Sequence, residues 1–331
     1  MPNNARLAEA LVAVVIPSYK VTSQIMSVIK GIPDEVWRIY VVDDACPDGS
    51  GCLVEKEITD GRVKVIFNSE NQGVGGAVMT GYREAMTDGA DILVKIDGDG
   101  QMNPSLIPLF TQPIINGEAD YAKGNRFFDL EQIRLMPKSR IFGNGILSIL
   151  TKLSSGYWNI FDPTNGYTAI QVNALKRLPL NKISQRYFFE SDMLFRLNTI
   201  RAVVVDVPMD AKYGGEVSNL HISKIVTEFF FKHIRNIVKR IFYNYYLRDV
   251  SLASIELPIG LLMIMWGLGS GSFHWYISSH MGISTPVGTV MLAAMPLLMG
   301  LQLVLAFLAY DIRSVPTQPI YRPRMNLKRD L

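Results

Sequence analysis

The sequence predicts an α/β domain on a mostly parallel sheet, followed by an amphipathic helix and two transmembrane helices. Three observations predict it. Short β-branched runs alternate with helical segments over the first hundred residues or so. Polar or acidic residues follow each of those runs. Beyond Val250 the chain turns into two long apolar stretches.

The runs are Ala13–Ile16, Ile39–Val42, Val63–Phe67 and Ile92–Ile96, each bounded by turn or polar residues. Helices are expected near Ser23–Lys30, Gly51–Ile58 and Val74–Thr87. Strands alternating with helices build βαβ units, and such sheets place ligands at the carboxyl ends of their strands. There stand Pro17, Ser18 and Tyr19 after the first run, and Asp43 and Asp44 after the second. Asn68–Asn71 follow the third, and Asp97, Gly98 and Asp99 the fourth. The glycines at 73, 75 and 76 invite a dinucleotide-fold reading. A GxGxxG match would need glycine where Val78 stands, and no GxxxxGK[ST] loop occurs. They read as a tight start to a helix packed close on the sheet.

The stretch Asp97–Gln101, DGDGQ, admits four readings. One is a solvated turn. A calcium loop fails, because its glycine and glutamate positions hold Met102 and Pro108. A hydrolase would use paired carboxylates as acid and base. The reading favoured by context is a metal–diphosphate site: Asp97, Asp99 and Gln101 offer hard oxygen ligands suited to Mg²⁺ or Mn²⁺, which leave places for substrate phosphates.

Past the soluble region, residues 224–249 interleave basic side chains with Ile225, Phe229, Ile234, Ile237, Val238 and Ile241. That pattern suits a helix in the headgroup plane, or one packed on the soluble domain, or both on different faces. Two apolar runs follow, Ser254–Tyr276 and Pro286–Tyr310, each long enough to span a bilayer, which takes about 20 residues. Lys232, Arg235, Lys239, Arg240 and Arg248 precede them, Arg313, Arg322 and Arg324 follow, and the connector holds no Lys or Arg. The positive-inside rule places both flanks, both termini and the large N-terminal domain in the cytoplasm. The expected divisions are 1–220, 221–250, 251–311 and 312–331. No signal peptide is read at the start. The formal charge of +3 is too small to argue for nucleic acid, and two cysteines, Cys46 and Cys52, make no disulfide framework or zinc spacing.

The ordered series VVIPSYK (14–20), VVDDACPDGS (41–50), NQGVGGAVMTGYREA (71–85), DGDGQMNP (97–104), KGNRF (123–127), DPTNGYTAI (162–170) and FFESDML (188–194) resembles family 2 glycosyltransferases with the GT-A fold. It is most similar to the polyprenyl-phosphate hexosyltransferases, the dolichyl-phosphate-mannose-synthase-like branch. The resemblance implies a Rossmann-like GT-A catalytic domain. It implies Pro17 and Tyr19 at the base and ribose, with Asp44 there and Asp43 and Gly98 beside the donor. It implies Asp97, Asp99 and Gln101 at the metal and diphosphate, and Arg126 and Arg140 at the diphosphate or acceptor phosphate. Glu190 and Asp192 match an acidic pair facing the acceptor, and Lys212 stands for a usual arginine. Departures are Lys20-Val21 where Asn-Glu is common, Asn165 for a serine, and Thr168-Ala169 where an arginine is often found. The activity implied is metal-dependent, inverting transfer of one hexose from a UDP- or GDP-sugar to a polyprenyl phosphate at the cytoplasmic leaflet, by a membrane protein that contacts lipid. A homo-oligomer is admitted. The alternatives are a processive polysaccharide synthase, whose QxxRW motif is not matched at Gln185–Phe189, and an idle membrane scaffold, against which the retention of Asp97 and Asp99 speaks.

Overall fold

The computed structural model describes residues 10–128, 138–210 and 222–321. It forms two compact units, Met1–Ile237 with Pro316–Leu331, and Val238–Val315.

The first unit is built on seven described strands: β1 (Val12–Ser18), β2 (Arg38–Asp43), β3 (Val63–Phe67), β4 (Ile92–Lys95), β5 (Tyr121–Asn125), β6 (Thr168–Gln171) and β7 (Val204–Pro208). They lie in the order β3-β2-β1-β4-β6-β5-β7. The first four pair in parallel, with Ser18 opposite Asp43 and Val15 opposite Lys95. β6 runs antiparallel to both β4 and β5, while β5 and β7 are parallel. The sheet is therefore mixed and mostly parallel. Helices α1 (Ile25–Lys30), α2 (Ser50–Glu57) and α3 (Val74–Thr87) follow β1, β2 and β3. Strand order reverses between β1 and β4, which opens a crevice at their carboxyl ends. Val14, Ile16, Ile39, Val41 and Val94 fill the core beneath that crevice, so the strands read as near-continuous apolar runs.

Helix α4 (Ile107–Ile115) packs on this core through Ile107, Phe110 and Ile114. Two further helices of the unit, α5 (Lys138–Ser155) and α6 (Phe189–Thr199), are joined by α7 (Ile222–Phe242), which leads out of it. α5 and α7 invert the usual pattern. α5 buries Ser148, Thr151, Ser154 and Ser155 and exposes Phe142, Ile146 and Ile149. α7 buries His233 and Asn236 against this unit and exposes Phe230, Phe231 and Ile234. The Ser154 hydroxyl lies 2.8 Å from His233 Nδ1, and the His233 ring meets the Phe188 ring edge-on. One face of α7 thus packs on the soluble domain and the other stays apolar and uncovered.

The unit closes with its C-terminal segment. The backbone N–H groups of Ile320 and Tyr321 donate to the buried Asp120 carboxylate just before β5, and Val203 N–H donates to the same group.

In the second unit, α8 (Leu252–Met281) and α9 (Val287–Arg313) are both long and apolar enough to cross a membrane. The expected runs fall on these helices. Gly260 and Gly300 face each other so closely that a Cβ on either would lie within 3 Å of the other's carbonyl oxygen. About three turns further along α9, Asp311 accepts from Arg240 Nη1 at 2.6 Å and Nη2 at 3.0 Å and from the Tyr245 hydroxyl at 2.6 Å. A π-helical turn, Tyr243–Arg248, leads into α8, whose first turn is closed by a reciprocal Ser251–Ser254 cap.

Candidate active site

Four strand ends carry the expected residues, and the structure gives them different work. At the end of β2, Asp43 and Asp44 are buried and turned into the chain's own backbone. Asp43 accepts from Gly51 N–H at 2.6 Å and Cys46 N–H at 2.8 Å, fastening the start of α2. Asp44 accepts from Gly73 N–H at 2.7 Å, Gln72 N–H at 3.0 Å and Asn68 Nδ2 at 2.8 Å, so it shapes the loop leading into α3. Ser18 at the end of β1 hydrogen-bonds the Ser50 hydroxyl, while Tyr19 beyond it is exposed. Pro17 pairs with Val42 inside the sheet. Both carboxylates, of which a donor contact was expected, hold the loops around the crevice.

The end of β4 is arranged otherwise. Asp97 and Asp99 remain partly exposed, and Gly98 is buried between them. Asp99 accepts from Gln101 N–H at 3.0 Å, which curls the DGDGQ turn on itself. Asp97 Oδ1 lies 2.8 Å from Lys95 Nζ, and Lys95 also reaches Glu190 Oε1 on α6 at 3.2 Å. Lys95 is fully buried. Burial works against its charge, but Asp97 and Glu190 outweigh burial and hold the ammonium protonated above the ordinary lysine range. Gly166, just before β6, makes room for this cluster: a Cβ there would stand 2.4 Å from Lys95 Nζ and 2.6 Å from Asp97 Oδ2.

Behind it lies a second buried lysine, Lys123, whose ammonium donates to the Asn165 carbonyl at 2.5 Å. Burial pulls it down to about 8, against the pull of Glu190 and Asp162. Arg126 forms a bidentate pair with buried Asp162, at 2.7 and 2.9 Å, and its Nη2 reaches the Thr164 hydroxyl at 3.1 Å. Its guanidinium is thereby fixed by the 162–164 loop rather than held out as a mobile phosphate ligand. Next to it, Asp206 accepts from Asn125 Nδ2 and Phe161 N–H, and burial raises its carboxyl to about 6.

Asp192 departs most from expectation. It is buried and accepts from Arg196 Nε at 2.9 Å, Ser184 N–H at 2.9 Å and Asn236 Nδ2 at 3.3 Å. Residues two apart on a helix do not face the same way. Glu190 therefore joins Lys95 and Asp97 while Asp192 ties α6 to α7, so the two side chains meet different partners. Lys212 lies outside the described residues, as does the Arg140 side chain on α5.

Lys95, Lys123, Asp162 and Asp206 were not singled out in the sequence. Lys95 had a signal: it interrupts an apolar strand two residues before Asp97, and strand periodicity puts both on one side. Asp162 lies in the quoted DPTNG stretch.

No group of three or more His, Cys, Asp and Glu side chains gathers to hold a metal among the described residues. The donor set at the β4 end nevertheless fits a hard divalent ion that takes one or two carboxylates and completes its shell from phosphates and water. Asp97 and Asp99 are oxygen donors, partly open, at a strand end. A softer or fully caged metal does not fit.

Comparison with known proteins agrees with this geometry. The family model for glycosyl transferase family 2 matches residues 13–178, which hold β1 to β6 and the DGDGQ turn. Among curated relatives, the UDP-N-acetylglucosamine–dolichyl-phosphate N-acetylglucosaminyltransferase of Methanococcus voltae is 31% identical, over 62% of this chain and 88% of its own. The undecaprenyl-phosphate mannosyltransferase of Micrococcus luteus is 30% identical, over 60% and 82%. Among solved structures, glucosyl-3-phosphoglycerate synthase from Mycobacterium tuberculosis, in complex with Mn²⁺, UDP and glucosyl-3-phosphoglycerate, superposes with a TM-score of 0.52. It is 19% identical and covers 71% of this chain and 81% of its own, a likeness of fold. With a sheet that reverses at β1 and β4, acids at the ends of β2 and β4 and a family match over half its length, this chain belongs to glycosyl transferase family 2 and is a glycosyltransferase.

Proposed function

We propose that the chain transfers one hexose from a nucleotide sugar to a polyprenyl phosphate at the cytoplasmic face of a membrane, with inversion at the sugar carbon. One observation carries the reading: a single chain joins the Asp97–Asp99 site to two helices long and apolar enough to cross a bilayer. A polyprenyl phosphate is confined to that phase. The names of the relatives support the acceptor class and divide between N-acetylglucosamine and mannose as the sugar.

The donor diphosphate would bind at the β4 end, where Asp97, Asp99 and Gln101 would hold Mg²⁺ or Mn²⁺. The cation, when bound, neutralises charge on the departing nucleoside diphosphate. Lys95, itself paired with Glu190, holds Asp97 in place. Pro17 and Tyr19 border the base and ribose, and the Asp44-held loop completes that wall. The acceptor phosphate is already an anion, so it attacks the sugar carbon without a general base. That agrees with an Asp192 engaged in structure rather than in proton transfer. Arg126, set by Asp162, and Arg140 supply positive charge toward phosphate.

The clamp on Ile320 and Tyr321 supports a topology in which the segment after the second span returns to the catalytic domain's side. The basic flanks make that side the cytoplasm. The uncovered apolar face of α7, with Arg235 and Lys239 beside it, suits contact with lipid.

The test is nucleoside diphosphate release from detergent-purified full-length protein. Donors are UDP- and GDP-sugars, with and without Mg²⁺ or Mn²⁺, and with and without undecaprenyl phosphate. Release that needs both metal and lipid supports the reading; equal release without lipid contradicts it.

A further inference from the structure

Asp97, at the β4 end, already has a cation. Lys95 Nζ lies 2.8 Å from Asp97 Oδ1 and 3.2 Å from Glu190 Oε1, with the lysine side chain 1% exposed. Gly166 leaves the room for it, since a Cβ at that position would collide with both Lys95 Nζ and Asp97 Oδ2. A buried ammonium held between two carboxylates is strongly localised, because neither partner can release it without leaving a charge unpaired. Its charge also acts at short range and low dielectric on anything that approaches Asp97. A bare divalent ion meets a carboxylate whose charge is largely answered. A divalent ion carried on a diphosphate brings its own anion and needs only the remaining oxygen.

We infer that Lys95 is a positioning residue that makes metal uptake at Asp97 conditional on the donor's diphosphate: it holds Asp97 and Glu190 together before the donor binds and discourages a free cation from entering alone. The inference rests on the donor-site reading of Asp97 and Asp99. It adds an order of events, in which metal and nucleotide arrive together, and it names the residue that sets that order.

The geometry distinguishes this role from simple packing. A lysine kept only to fill space could be replaced by methionine, of similar length, with no effect on ion binding. Here the replacement exposes Asp97 and Glu190 to each other, and the divalent ion becomes the nearest available counter-charge.

The experiment is Mn²⁺ binding, read from loss of the free-ion electron paramagnetic resonance signal, with the full-length protein in detergent. Wild type, Lys95→Met and Lys95→Arg are titrated with and without UDP; Asp99→Asn reports on the site itself. In wild type, UDP should tighten Mn²⁺ binding at least about tenfold. In Lys95→Met, Mn²⁺ alone should bind about tenfold more tightly than to wild type and the dependence on UDP should shrink, while Lys95→Arg keeps wild-type behaviour. Identical Mn²⁺ binding to wild type and Lys95→Met overturns the inference about Lys95, with the donor site intact if Asp99→Asn still loses the UDP-dependent ion. Wild type that binds Mn²⁺ equally well with and without UDP overturns it too, even if Lys95→Met fails to fold. UDP-dependent Mn²⁺ binding that is indifferent to Asp99→Asn overturns the donor-site reading and the inference with it.

Discussion

The ends of β2 and β4 each present two acids, Asp43–Asp44 and Asp97–Asp99, and the chain treats them in opposite ways. At β2, six donors from loops and the start of α2, four of them backbone N–H groups, converge on two buried carboxylates. At β4, Asp97 meets a buried lysine side chain, Asp99 turns to Gln101 N–H, and both stay partly open. A carboxylate used by backbone donors is a structural fastener; one balanced by a side-chain cation at an open strand end is placed for a ligand. All four are aspartates at or just past the carboxyl end of a parallel strand, so the difference lies in what faces each group.

The largest expected effect breaks this comparison at β4. Asp99→Asn should lower transfer about a thousandfold while the melting temperature stays near wild type, since loss of one charge-stabilising ligand weakens the transition state and little else. Turnover and a melting curve on the same preparation check it. Loss of stability with activity retained would move Asp99 into the class of Asp43.

Next comes Asp192, a third acid that belongs with the β2 pair. Asp192→Asn should destabilise the catalytic unit by about 3 kcal/mol, because Arg196 is left without its charged partner. The folded fraction should keep a near-normal turnover per molecule. A normal melting point with lost turnover would restore a catalytic role to it.

A pH experiment sharpens the same distinction. Burial holds His233 down to about 4 and raises Asp206 to about 6. The unfolded chain binds the extra proton at His233 between about pH 4 and 6.5, so that contribution to stability grows as pH rises. At Asp206 the folded chain binds the extra proton over a similar window, so its contribution falls as pH rises. Each is worth about 3 kcal/mol, and they oppose. Wild type should therefore melt with a shallow pH slope between pH 4 and 6, whereas Asp206→Asn should gain stability steeply with rising pH. Parallel slopes for the two proteins would contradict the assignment.

The smallest effect is at Asp44. Asp44→Asn keeps an acceptor for part of the Gly73, Gln72 and Asn68 contacts and should cost about 2 kcal/mol, read by denaturant melting.

Much of this was legible in the residues. β1 to β4 and the three helices between them follow from β-branched runs and helical spacing, and the DGDGQ turn stands at the strand end where it was placed. The rest was hidden for physical reasons. β5 and β7 carry Lys123, Gly124 and Asp206, which break the apolar pattern, and β6 has four residues. The neighbouring acids of α6 read as a pair in sequence, but the helical repeat sends them to different surroundings. Lys95 left a signal in its place within an apolar strand, but its two carboxylate partners come together only when α6 packs against the sheet. The buried polar faces of α5 and α7 could not be foreseen, since their apolar residues suggest the opposite orientation against a soluble core.

The measurement that tests the central claim most directly follows the sugar itself. Wild type and Asp99→Asn are given a labelled nucleotide sugar, Mg²⁺ and undecaprenyl phosphate, and the lipid phase is extracted and counted. The account predicts one lipid-linked sugar per nucleoside diphosphate released by wild type, and almost none from Asp99→Asn. Nucleoside diphosphate released without labelled lipid, or labelled lipid formed equally by Asp99→Asn, would contradict it.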